Sequence, residues 1–180
     1  MAPNPLHALV LLPLYFKRPD LFDPLALVIS GVAIDLDVVY SYIMAYPSHH
    51  LALHSFVVAA TIYPLVVSLL VYYLERRAGR RFAWVYGRIR WGEKVSYPFA
   101  TIFACSLLGG LSHMFIDVWS HPVSPFIFWP FLYLPSNPLY LGVWSLAIDA
   151  AVVLVSVYAL YLWAQRWRAA SKPPAADRKE

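Results

Sequence analysis

The chain has 180 residues, of which 61% are hydrophobic and 13% are charged. Soluble globular domains carry about 25% charged residues, so this chain has too few charges to cover a water-facing surface in the usual way. Its single cysteine, Cys105, excludes a disulfide framework within the chain and a zinc site built from cysteines. The composition therefore predicts an integral membrane protein.

The apolar segments predict the fold. The first, 6–16, is shorter than the roughly 20 residues that cross a bilayer, and we expect a half-helix packed on protein. The longer segments that follow can each span a membrane: 24–46, 51–74, 97–119 and 139–163. The predicted fold is an all-α integral membrane protein with four transmembrane helices plus a short N-terminal half-helix.

The rest of the chain predicts loops. Segment 122–138 holds five prolines and many aromatic residues, which is typical of an irregular loop at the membrane interface. Residues 171–180 are polar, and we expect them to form a disordered tail. Residues 1–170 then form a single transmembrane helical domain.

The basic residues predict an orientation. Seven of the 14 lysines and arginines lie within 76–94, and the others lie at 17–18 and after residue 163. Because basic loops stay on the cytoplasmic side, loop 76–94 and the C-terminus are predicted to be cytoplasmic in a multi-pass inner-membrane protein. The expected partner of these basic residues is the lipid bilayer, and no nucleic-acid partner is expected.

Four carboxylates interrupt the predicted spans. Asp35 and Asp37 lie in the first, Asp117 in the third and Asp149 in the fourth. Each costs about 2.5–3.5 kcal/mol at mid-membrane, and intramembrane acids commonly mark a functional site. Asp149 has no histidine in its span, so a salt bridge or a hydrogen bond is at least as plausible there as metal ligation.

The strongest pattern is His113, Asp117 and His121, each four residues apart. A step of four residues turns only about 40° around a helix, so the three side chains are predicted to share one face. Pro122 disfavours helix at His121, which places that residue at the helix end. Imidazole and carboxylate together suit zinc or another divalent metal.

A second group of histidines precedes the second predicted span. His50 and His54 are four residues apart and share a face if the helix has already begun there, whereas His49 points elsewhere. The topology brings this group to the depth of His113 and Asp117, toward the outer half of the membrane.

His7 is predicted to lie beside the acid pair, because both lie at the same depth in the membrane. A helical hairpin around 18–23 puts His7 and Asp35 roughly 15 Å from the turn, and thus beside each other. Asp35 and Asp37 face different directions in a regular helix. Either the helix is distorted there, or only one is a metal ligand while the other orients a histidine.

Four motifs occur in a fixed order: Asp35-Leu36-Asp37 after Gly31, HHLALHS at 49–55, GGLSHMFIDVWSH at 109–121, and Trp129-Pro130. Together they resemble the membrane-bound metal-dependent hydrolase family, also described as LexA-binding, inner-membrane-associated hydrolases. The resemblance covers about residues 5 to 131. More distantly, the pattern is similar to the zinc-dependent phospholipase C and nuclease group, which hydrolyses phosphoesters.

The resemblance implicates these positions: His7, Asp35, Asp37, His49, His54, His113, Asp117 and, in a common variant, His121. The chain departs from the family pattern at Ile34, where proline is frequent, at Val38, where histidine is frequent, and at His50-Leu51, where the family has Arg-Gly. The resemblance favours His49 while helix geometry favours His50, so both stay candidates.

The first functional hypothesis is a hydrolase that holds one to three divalent metal ions, with zinc as the first expectation. A metal-bound water would attack a phosphoester or lipid substrate, with Asp35 or Asp37 as general base or bridging ligand. The alternatives are a transporter or proton relay that uses the intramembrane His/Asp cluster, and a catalytically inactive protein of structural role.

Overall fold

The computed structural model describes residues 6–46, 51–77, 96–122, 126–134 and 136–170, and the single residues 81, 84 and 87. His49 and His50 lie outside the described residues, and so do the tail 171–180 and most of the basic loop 76–94.

The first long helix begins at a sharp cap. The Asp23 carboxylate accepts hydrogen bonds from the backbone N–H groups of Leu25 and Ala26, at 2.9 and 3.3 Å, and Pro24 occupies the first helical position. Helix α3 (Pro24–Val32) passes through a tighter turn at Ala33–Asp35 into helix α4 (Leu36–Ile43). The apolar element Pro24–Ile43 is long enough to cross a membrane.

The predicted half-helix is two short helices, α1 (His7–Val10) and α2 (Leu12–Lys17). The chain reverses through residues 18–23 so that α1 packs against α3. The carbonyl of His7 would lie 3.1 Å from a Cβ added at Gly31, so the glycine permits this close approach. The hairpin brings His7 to the middle of the bundle.

The second predicted span, 51–74, is not one continuous helix. A single helical turn at Ala52–His54 is followed by extended backbone at Ser55, then by helix α5 (Phe56–Ala60) and helix α6 (Ile62–Arg77). Leu51, the residue before this turn, is also extended. The break arises because the N–H of Phe56 donates to Ile127 O and the Ser55 hydroxyl donates to Trp129 O.

Helix α7 (Phe99–Ser120) lies at the centre of the bundle, against α3, α5 and α6. Its glycines set the spacing: a Cβ at Gly109 would lie 2.9 Å from Ser30 Cβ, and one at Gly110 would lie 2.9 Å from the Tyr63 ring. Helix α8 (Ser145–Ala170) packs on α1 and α2, where Arg166 donates to Phe16 O at 2.8 Å.

Three helical elements are long and apolar enough to cross a membrane: Pro24–Ile43, Phe99–Ser120 and Gly142–Ala169. The described residues contain helices and one isolated bridge, between Phe128 and Leu132, but no β-strand. The prediction of an all-helical chain with membrane-spanning segments is therefore confirmed. The predicted number of four long spans is not, because the longest helix within 51–74 and its flank has 16 residues.

Candidate metal centre

Three elements bring polar side chains together inside the bundle. Asp35 ends the tight turn between α3 and α4, His54 ends the turn before α5, and His113 and Asp117 lie one helical turn apart on α7. The tight turn matters because it aims Asp35 at α7. All four side chains are buried, with relative exposures between 0% and 6%.

The four residues present one ligand atom each, and these atoms all lie within 4.8 Å of one another. His54 Nε2 is 3.5 Å from Asp35 Oδ1 and 3.2 Å from Asp117 Oδ2. His113 Nε2 is 3.4 Å from Asp35 Oδ1 and 3.1 Å from Asp117 Oδ2. A tetrahedral ion with bonds of about 2.0–2.1 Å separates its ligands by about 3.3 Å, so the spacing suits such an ion.

The tautomer of His54 follows from its partner Asp37. His54 Nδ1 lies 2.7 Å from Asp37 Oδ1, and a carboxylate can only accept, so Nδ1 carries the hydrogen. In a neutral imidazole, Nε2 then presents its lone pair to Asp35 and Asp117. Asp37 thus orients the ring in the way that a carboxylate behind a metal-bound histidine does.

His113 is oriented in the same way by a backbone carbonyl. Its Nδ1 donates to Gly31 O at 2.8 Å, which leaves the lone pair on Nε2. His7 Nδ1 lies 3.0 Å from the same Nδ1, and the two rings meet edge to face. Both buried ring nitrogens that face the carboxylates are therefore acceptors when the rings are neutral.

When both rings are neutral, the described residues therefore turn four buried acceptor atoms toward one point. Two buried carboxylates are costly unless positive charge balances them. A divalent cation at this point would balance both carboxylates and would accept all four lone pairs. The buried group Asp35, His54, His113 and Asp117 could hold a metal ion.

His7 and His121 approach the other oxygen of Asp117. His7 Nδ1 lies 3.8 Å from Asp117 Oδ1, and His121 Nε2 lies 3.6 Å from the same atom. His121 is the most exposed of these groups, with 24% of its side chain accessible. The predicted face of His113, Asp117 and His121 is therefore present, with His121 just past the end of α7.

Asp37 lies outside the four-residue group. Its Oδ2 accepts hydrogen bonds from the backbone N–H groups of Leu51, Leu53 and His54, at 3.1–3.3 Å, while its Oδ1 faces His54. Of the two readings of the acid pair, the distorted helix is observed at Ala33–Asp35, and the division of roles stays a prediction. These contacts suit an orienting carboxylate better than a predicted metal ligand or general base.

We expect Asp37→Asn to weaken metal binding by about 10–100-fold, the usual effect of losing the partner of a metal-bound histidine. The asparagine amide has a single acceptor oxygen, so it cannot accept both from His54 Nδ1 and from the backbone N–H groups of the turn, and His54 loses its orientation. A metal titration with a competing chromogenic chelator measures the affinity. An unchanged affinity would assign the Asp37 contacts to loop stability alone.

Asp149 is exposed on α8 and is not part of the four-residue group. The salt bridge or hydrogen bond predicted for Asp149 stays a prediction. Two supporting groups were absent from the sequence-based prediction. One is the Gly31 carbonyl, and the other is Asn137, whose amide donates to Val118 O and His121 O at 2.5 and 2.7 Å and so closes the end of α7.

The Gly31 carbonyl and Asn137 have no sequence signal of their own, since a carbonyl carries no residue type and Asn137 lies in a proline-rich loop.

In comparisons with known proteins, no family model, no curated protein and no solved structure matches this chain. The resemblance to the membrane-bound hydrolases stays a prediction, and the candidate centre rests on its geometry.

Proposed function

We propose that this protein is a membrane-embedded hydrolase that depends on a divalent metal ion. The proposal is supported mainly by the four buried acceptor atoms that lie within 4.8 Å of one another. Two imidazoles and two carboxylates are the ligand types that hydrolytic zinc sites use, whereas structural zinc sites are commonly rich in cysteine. The lone cysteine, Cys105, forms no part of this group.

A bound divalent ion would supply Lewis-acid activation of water, lowering the pKa of that water toward about 7. The chain's own residues would handle the proton. Asp117 Oδ1 faces His121 rather than the four-atom group, and His121 is partly exposed. We assign to Asp117 the acceptance of a proton and to His121 its transfer to solvent.

The proposed substrate is a phosphoester or a lipid. The sequence has no lysine or arginine between residues 19 and 75 or between 95 and 165. Neutralisation of a substrate's negative charge would therefore fall to the metal ion. We also propose that segment 51–74 makes a fourth crossing as α5 and α6, with loop 76–94 cytoplasmic and the centre in the outer half.

The test is hydrolysis before and after removal of the metal from protein purified in detergent micelles. We expect a chelator to abolish hydrolysis of phosphodiester or ester probes, such as bis(4-nitrophenyl) phosphate and 4-nitrophenyl butyrate, and zinc to restore it. Activity that persists after measured metal removal would contradict the proposal.

A second candidate function follows from the same contacts. Four protein ligands can close a tetrahedral shell and leave no position for water, as in structural sites. The ion would then only hold Asp35, His54 and α7 together. In that case metal removal lowers the melting temperature of a protein that hydrolyses no probe. A proton relay, the third candidate, needs no bound metal for stability.

A further inference from the structure

A second buried polar cluster lies at the other end of the bundle. We define the basic end as the region around Lys17, Arg18, Arg76, Arg77 and Arg166. There the end of α6 meets the start of α3 through Glu75 and Asp23, which are only 3% and 0% exposed. Asp23 is twelve residues before Asp35, or about 18 Å along a helix, so this cluster is separate from the metal centre.

Each of the two carboxyl groups has one oxygen held by backbone donors. Asp23 Oδ1 accepts from the N–H groups that begin α3, and Glu75 Oε2 accepts from the N–H of Tyr97 at 3.0 Å. The second oxygen of Glu75, Oε1, is buried and receives no backbone or side-chain donor from the described residues. Its neighbour is the Asp23 carboxyl group, within hydrogen-bonding reach.

Two facing carboxylates cannot hydrogen-bond unless one of them carries a proton. Two buried negative charges in contact also repel each other in a low dielectric. Burial and the neighbouring Asp23 charge raise the pKa of Glu75 to about 7, against the smaller opposing influences of the Tyr97 N–H and of Arg76. The pair therefore has both the geometry and the affinity to keep one proton near neutral pH.

We propose that Asp23 and Glu75 form a proton-binding latch. One proton shared between the two carboxyl groups fastens the end of α6 to the start of α3, and its loss loosens the basic end. The protonated oxygen of Glu75 donates to the Asp23 carboxylate, so the pair carries a single negative charge. That charge continues to cap the N-terminus of α3.

The latch joins more than two helices. The Tyr97 hydroxyl donates to Pro19 O at 2.8 Å, and the N–H of Asp23 donates to Cys105 Sγ at 3.2 Å. Loosening Glu75 therefore also releases the hairpin before α3 and the entrance to α7. Among the described residues, the titratable or charged groups that act on this cluster are Tyr15 on α2, Arg76 on α6, Tyr97 before α7 and Cys105 on α7, and Arg166 on α8 lies beside Tyr15.

The direction of the pH effect follows from proton binding. Glu75 binds its proton more tightly in the folded state than in the unfolded state, where its pKa is near 4.5. The contribution of the latch to stability is therefore complete below about pH 4.5 and declines as the pH rises through about 7. Raising the pH should weaken the fold in this window.

The experiment is thermal unfolding of the full chain in detergent between about pH 5.5 and 8.5. We expect the melting temperature of the wild type to fall by at least about 4 °C over this range. Glu75→Gln places a permanent N–H donor where the proton lies, and Asp23→Asn keeps the helix cap while supplying a donor from the other side. We expect both variants to lose most of this slope.

The control is Asp20→Asn, since Asp20 is an exposed acid at the same end, with 63% of its side chain accessible. It should leave the slope of the wild type unchanged. If one of the two latch variants fails to fold, the pH dependence of the other variant still tests the proposal. A wild-type slope that survives in Glu75→Gln, or that Asp20→Asn also removes, would overturn the latch.

Discussion

Replacing Asp117 by alanine is expected to remove both metal binding and hydrolysis. Asp117 Oδ2 lies 3.1 Å from His113 Nε2 and 3.2 Å from His54 Nε2, so its loss deprives the centre of one ligand and half of the carboxylate charge. The metal affinity should fall by more than the roughly 100-fold that an orienting residue contributes. His113→Ala should have a similar effect because it removes the ligand one turn away.

The matched control for this variant is Asp149→Asn, which changes an acid in another membrane-spanning element. Asp149 is exposed on α8 and does not belong to the four-residue group. Activity and metal content should remain at wild-type levels in this control. Equal losses in Asp117→Ala and Asp149→Asn would indicate a general dependence on intramembrane charge instead of a defined centre.

The second large effect concerns the spacing of the two helices that hold the centre. A Cβ at Gly109 would overlap the Ser30 hydroxyl, and would lie 2.9 Å from Ser30 Cβ and 3.1 Å from Leu27 O. The serine cannot easily turn away, because its hydroxyl donates to Ala26 O at 2.6 Å. Gly109→Ala should therefore push α7 from α3 and cost about 1–3 kcal/mol, as overpacked cores do.

Thermal unfolding with an added Ser30→Gly substitution checks the cause of this loss. Removing the serine side chain should restore part of the stability of Gly109→Ala, because only the Leu27 carbonyl then remains close. Gly87→Ala is the matched control, since a Cβ there meets nothing within 4 Å. A Gly109→Ala variant as stable as Gly87→Ala would contradict the observed spacing.

The parts of the fold that the sequence predicts are those set by local pattern. Long apolar runs predict the long helices, and a spacing of four residues predicts that His113 and Asp117 share a face. The depth argument also places His7 near the centre, because a hairpin of two helices fixes how far each residue lies from the turn. None of these inferences needs a contact between distant segments.

The parts that escaped prediction depend on such contacts. The second span appeared continuous because its residues are apolar, yet the chain breaks at Ser55, where hydrogen bonds to Ile127 O and Trp129 O replace helical ones. The different surroundings of Asp35 and Asp37 likewise depend on a tight turn that only the packed structure reveals. Periodicity cannot foresee either feature, since both are decided by partners far along the chain.

The central claim is that Asp35, His54, His113 and Asp117 bind one divalent ion, and the most direct test is elemental analysis of the purified protein. The wild type, saturated with zinc and freed of excess metal, should retain at least about one ion per chain. Removing a ligand should abolish this site, so the content of Asp117→Ala should be lower by about one ion per chain, while Asp149→Asn should match the wild type. Equal metal content in the wild type and Asp117→Ala would contradict the account.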